Sequence, residues 1–143
     1  MKRGMTLIVR TVSRLLFPFM FLFGIYIVLH GHLTPGGGFP GGVIIAASIV
    51  MLLLAYGYER AQETIGALEA EVAESIGGLI LVGLGLVGAI ISVAFLKEVL
   101  PLGTIGNLFS AGNLPILNIG VSIKVAAGFV TIFYAMLGLR GEE

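Results

Sequence analysis

The sequence predicts an all-α integral membrane protein with four transmembrane helices and both termini in the cytoplasm. Three observations predict it. Of 143 residues, 57% are hydrophobic and only 11% charged, whereas a soluble domain carries about 25% charged residues. Four apolar segments approach the roughly 20 residues that a bilayer crossing needs. The strong charges lie between those segments, with Lys124 as the exception.

The first span is expected at about Leu15–Leu29, with a start as early as Thr6. Basic residues precede it, as in a signal peptide, but its exit "LHGHLTP" offers no small-x-small cleavage site, so a retained span is expected. Pro18 is harmless near a helix start and kinks a helix interior. The second span is expected at about Phe39–Tyr58, the third at about Ser75–Leu96, and the fourth at about Ile116–Leu139. Together they make one four-helix membrane domain over residues 1–143.

Orientation follows from lysine and arginine placement. Lys2, Arg3, Arg10, Arg14, Arg60 and Arg140 fall on one side and only Lys97 on the other. The richer side is expected to be cytoplasmic, in a plasma membrane. The loop from Glu59 to Glu74 sets Ala61, Ile65, Leu68, Val72 and Ile76 at helical spacing among five glutamates. It reads as a helical extension or an interfacial helix with a solvated acidic face. The loop "EVLPLGTIGNLFSAGNLP", Glu98–Pro115, is too rich in glycine and proline for a long helix. Asn113 or Asn118 is expected to cap the fourth span.

Small residues let helices approach closely in lipid. In the fourth span Gly120, Lys124, Ala127, Gly128, Thr131, Ala135 and Gly138 form one stripe, opposite Phe129, Ile132, Phe133 and Met136. In the third, Gly78, Gly85 and Ser92 recur every seven residues, flanked by Gly77 and Gly88. Gly78, Gly85, Gly120 and Gly128 are therefore expected at helix contacts, and at least one small face is expected to dock another chain.

Lys124 is the candidate for chemistry, because a charge inside a bilayer costs at least a few kcal/mol. Either it lines an ion path, or it snorkels to the interface or pairs statically with a neighbouring subunit's carboxylate. The expected spans contain no central acidic residue, so its counter-charge is expected on another subunit. Thr131 shares its stripe and joins it as an ion-path candidate.

The first loop, "HGHLTPGGGFPGG", spans His30 to Gly42. No lysine–serine ending follows, so a phosphate-binding loop is not indicated. A tight turn is expected, with glycine amides at the start of the second span able to cradle an anion as the competing role. His30 and His32 diverge on a helix and cannot grip one metal from one face. They fit hydrogen-bonded helix-end groups or a proton relay at the outer mouth. No cysteine is present, which excludes disulfides, cysteine-ligated clusters and thiolate catalysis within this chain. No nucleophile–base pair or paired carboxylates occur in the expected spans, so no catalytic site, metal or cofactor is expected. Balanced charge gives no nucleic-acid footprint.

Two segments carry a resemblance. "GHLTPGGGFPGGVIIAAS", Gly31–Ser48, resembles the signature of the MnhB/MrpB family of small subunits in multisubunit cation/proton antiporters. "NIGVSIKVAAGF", Asn118–Phe129, resembles that family's last span. Related subunits occur in archaeal membrane-bound hydrogenases and sulfur-reducing complexes. The resemblance implies other membrane subunits of an antiporter-like module as partners, Na+ and H+ as transported ions, and no redox centre in this chain. A self-sufficient homo-oligomeric transporter or channel is the alternative.

Overall fold

The computed structural model describes residues 5–57, 63, 66–92, 94–108 and 110–139. Four helices in it are long and apolar enough to cross a membrane. They are α1 (Leu7–Leu29), α2 (Gly38–Tyr56), α3 (Ala67–Ser92) and α4 (Leu114–Leu139). The expected all-α class with four spanning helices is borne out, and the main differences in limits fall in α1 and α3. α1 starts at Leu7, so Arg10, Arg14 and Pro18 all lie inside it. α3 starts at Ala67, so Glu69, Glu71 and Glu74 belong to that helix, which bears out the reading of this segment as a helical extension. It ends at Ser92, short of the expected Leu96. Arg60, Ala61 and Ile65 lie outside the described residues.

The helices form an open layer. α1 packs on α2, α2 on α4, and α4 on α3, which leaves α4 between α2 and α3. Leu53, Ala70, Val130 and Tyr134 form a buried cluster that ties α2, α3 and α4 together.

Glycine sets the packing. Apolar burial gives helices no reason to associate in lipid, so close backbone approach and dispersion must do it. A Cβ on Gly41 would stand 2.5 Å from the Val28 side chain and 3.0 Å from the Gly24 carbonyl of α1. On the other side of α2, a Cβ on Gly42 would stand 2.8 Å from the Ser122 carbonyl of α4, and one on Gly38 would collide with the Asn118 carbonyl. One turn of α2 thus lies against two helices at once. Pro40 fits there because the first-turn amide it lacks has no intrahelical partner in any case.

The third loop folds back along α3. The Phe95 ring covers Gly85, and the backbone at Leu96 and Lys97 lies against Gly88. Gly85 is therefore at a packing contact, but its partner is this chain's own loop and no helix.

Gly42→Val is expected to destabilise the purified chain in detergent by about 1–3 kcal/mol, the usual cost of overpacking, read as a lower unfolding midpoint. A Cβ on Gly83 would meet no atom within 4 Å. Gly83→Ala is expected to hold or raise the midpoint in the same measurement, because alanine favours helix by about 0.5–1 kcal/mol.

Candidate functional site: an ion pair between α3 and α4

The α3–α4 crossing is built on Gly77. A Cβ there would stand 2.6 Å from the Lys124 amide nitrogen and 2.9 Å from the Gly120 carbonyl. The two backbones touch where glycine permits it. Gly120 receives Ile80 and Leu81 of α3 in the same way. Gly77 stands ten residues from the start of α3, and Lys124 ten from the start of antiparallel α4. Fifteen residues of each helix lie beyond the contact. At about 1.5 Å per residue the crossing is ~15–22 Å from either helix end, and Glu74, one turn before Gly77, is ~10 Å from the start of α3.

There Lys124 Nζ donates to Glu74 Oε1 at 3.2 Å. The carboxylate lies over Gly128, 3.7–3.9 Å from where a Cβ would stand. Gly78 leaves room for the ammonium, with a built Cβ 3.8 Å from Nζ. Both side chains stay partly open, at 46% exposure for Lys124 and 37% for Glu74. They edge a groove of about 290 Å³ whose other walls include Leu81, Val121, Val125, Phe129 and Ile132.

This overturns one expectation and completes another. Lys124 does point at a neighbouring helix. Its counter-charge, however, is Glu74 of the same chain, not a carboxylate of another subunit. The sequence reading sets Glu74 on a solvated acidic face because the expected third span begins one residue later, at Ser75. Its spacing held the signal: Glu74, Gly78, Leu81 and Gly85 share one stripe of α3.

The other candidates do not join this pair. The Thr131 hydroxyl donates to the Ala127 carbonyl of its own helix at 3.0 Å. His30 stacks on Tyr26 with ring centroids 4.2 Å apart, and its Nδ1 lies 3.1 Å from the Tyr26 carbonyl. His32 Nε2 lies 3.2 Å from the Asn107 carbonyl, which ties the first loop to the third. A neutral ring donates that bond from Nε2–H and leaves Nδ1 as an acceptor. That Nδ1 is buried without a hydrogen-bond partner among the described residues. No group of three or more metal-capable side chains occurs among the described residues.

Of the two asparagines expected at the start of α4, Asn113 takes the N-cap position, its carbonyl accepting the Leu117 N–H at 3.0 Å, while its side chain works elsewhere. Asn118 does not cap α4; its Oδ1 accepts the Gly38 N–H at 3.2 Å, at the start of α2. That amide has no partner within its own helix. A side-chain oxygen thus occupies the place considered for an anion. Asn113 is buried; its Oδ1 accepts from the Val99 and Leu100 amides at 3.4 and 3.3 Å, and its Nδ2 donates to the Lys97 carbonyl at 3.1 Å.

Fold and site together define a multi-pass membrane protein with an ion pair between two of its spanning helices. The chain belongs to the family described as a domain related to the MnhB subunit of Na+/H+ antiporter, whose family model matches residues 8–131. An uncharacterized protein of Methanocaldococcus jannaschii is 33% identical over 123 residues, covering 82% of this chain and 47% of that protein. An mnhB2 antiporter subunit of Staphylococcus aureus is 26% identical over 136 residues, covering 93% of this chain and 95% of that one. Among solved structures, a chain of the membrane-bound sulfane sulfur reductase, an archaeal respiratory membrane complex, superimposes with TM-score 0.78 and 38% identity. That match covers 95% of this chain and 60% of the other. A chain of the Mrp complex from a Dietzia species superimposes with TM-score 0.73 and 25% identity, covering 91% of this chain and 14% of that one. The chain thus spans about half the length of the archaeal relative and a small part of the Mrp chain.

Lys124→Met strands the Glu74 carboxylate in the membrane. Breaking a fully buried pair costs about 3–5 kcal/mol; partial exposure here lowers the expected loss to about 1–3 kcal/mol. Adding Glu74→Gln to Lys124→Met is expected to recover most of it, as read by unfolding midpoints in a double-mutant cycle.

Proposed function

We propose that this chain is a small membrane subunit of a multisubunit cation/proton antiporter module, and that the Glu74–Lys124 pair lies on its ion path. The pair carries the reading. An ammonium and a carboxylate carried within two transmembrane helices are expensive to keep there, and such residues usually line ion pathways. The family assignment and the two complexes that the fold resembles support a place within a larger assembly. The transported ions are Na+ and H+, as the family's description suggests.

Orientation follows the basic residues, with the α1–α2 loop facing outward and Glu69 and Glu71 toward the cytoplasm. His30 and His32 then stand at the outer mouth. The glycine-built core of the chain acts as scaffold, and Lys124 supplies a fixed or switchable positive charge. Glu74 determines where that charge rests.

The test is flux through the assembled complex in proteoliposomes. Lys124→Ala and Glu74→Gln are each expected to lower sodium-driven proton movement at least tenfold, with subunit composition unchanged. Wild-type flux in both variants sinks the role of the pair. Absence of sodium/proton exchange in the wild-type complex sinks the antiporter reading itself.

A further inference from the structure

We infer that Arg10, with Ser13 one turn on, forms a binding site for the phosphate group of a membrane lipid at the N-terminal end of α1. The site lies at the other end of the helix layer from the Glu74–Lys124 pair, and it stands apart from the antiporter reading.

Arg10 is on the inward face of α1. Arg10, Ser13, Phe17, Phe21, Gly24 and Val28 share one stripe of buried or half-buried positions, three or four residues apart. Gly24 packs on Gly41 and Ile45 of antiparallel α2. Fourteen residues back along α1, Arg10 is therefore level with the last turn of α2, which ends at Tyr56. Arg10 is also the fourth residue of α1, about 5 Å along its axis. That depth is the edge of a spanning segment, where headgroups lie.

The polar groups there lack partners. Nε of Arg10 is buried without a hydrogen-bond partner. No hydrogen bond or ion pair of the Arg10 side chain is found among the described residues. Ser13 is 4% exposed, and its hydroxyl makes no hydrogen bond among the described residues either. A guanidinium with one nitrogen sealed from solvent is poorly compensated by water alone. Its Nη nitrogens are not sealed in this way, and they offer the fork that a phosphate accepts in two parallel bonds. Neither α1 nor α2 contains an acidic residue. The glutamates of α3 stand beyond α2 and α4, and Glu59 lies outside the described residues.

The surroundings favour a lipid over a free phosphate. α1 is the end helix of the layer and packs chiefly on α2. Beside Arg10, Leu7, Ile8 and Leu15 are largely exposed, an apolar flank that suits acyl chains. Thr6 gives α1 no side-chain cap and no acidic residue stands in the first turn, so the positive end of the helix adds to the attraction. Arg14, exposed one turn on, adds a second charge.

The full chain in detergent is titrated with phosphatidylglycerol, and bound lipid is counted by native mass spectrometry. Arg10→Gln is expected to weaken retention about tenfold, the loss of one charge-assisted contact, and Arg14→Gln to weaken it less. Arg10→Lys is expected to fall between wild type and Arg10→Gln, because an ammonium lacks the fork. It carries the test alone if Arg10→Gln does not purify. Equal weakening by Arg10→Gln and Arg14→Gln overturns the site in favour of a diffuse basic surface. Unchanged retention in either Arg10 variant overturns it in favour of a carboxylate partner, from Glu59 or another subunit. Displacement of the lipid by inorganic phosphate overturns the lipid as its source.

Discussion

Everything in this fold depends on one constraint: in lipid, helices gain nothing from hiding apolar side chains from each other. Contact must come from fit, and fit here means backbone against backbone. Gly41 meets α1, Gly42 and Gly38 meet α4, and Gly77 meets the Lys124 backbone. Each contact tolerates no Cβ without displacement of its neighbour. The glycine-rich stretch that opens α2 is therefore a packing device, and its loop function is secondary. It brings α2 into two interfaces within one helical turn. That in turn fixes α4 in the middle of the layer, with its other flank free for α3.

The ion pair follows from the same geometry. Gly77 lets α3 cross α4 at Lys124, and one turn earlier on α3 the side chain that meets Lys124 is Glu74. Across 3.2 Å, two unit charges attract by roughly 5 kcal/mol at an effective dielectric near 20. Insertion of each charged side chain costs about 2.5–3.5 kcal/mol. Attraction and cost nearly cancel. The pair therefore gives little net stability. Removing one partner is a different matter, because the survivor keeps its cost and loses its compensation.

The sequence made the four crossings legible because hydropathy and charge placement report directly on solvent. Helix faces were legible in part. The stripe through Gly120, Lys124 and Gly128 does face α3, but Phe129 and Ile132, expected on the opposite side, wall the α3–α4 groove beside Lys124, and Met136 is exposed. Glu74 was set outside the span, because hydropathy counts a glutamate against a span and so pushed the boundary past it. Register would have kept it. Asn118 was misread for a different reason. Its partner, the Gly38 amide, is eighty residues away in the chain, and no local capping pattern reports a bond of that range. The same holds for Phe95, whose seat on Gly85 requires knowing that the loop doubles back.

That doubled-back loop bears on where partners can sit. Non-helical backbone beside a membrane helix needs internal hydrogen bonds. Asn113 provides three of them, to Val99, Leu100 and Lys97, from a side chain that is 2% exposed. His32 adds a tie from the first loop. The loop can therefore lie against Gly85 and Gly88 without stranding its polar groups, and in doing so it closes that part of α3 to other chains. Lower on the same helix no such cover exists. Glu74 and Lys124 stand at the edge of the α3–α4 groove, with polar valences that this chain leaves open. The chain meets the hydrogen-bonding demands of its own loop from within, whereas its charge pair stays open to its surroundings.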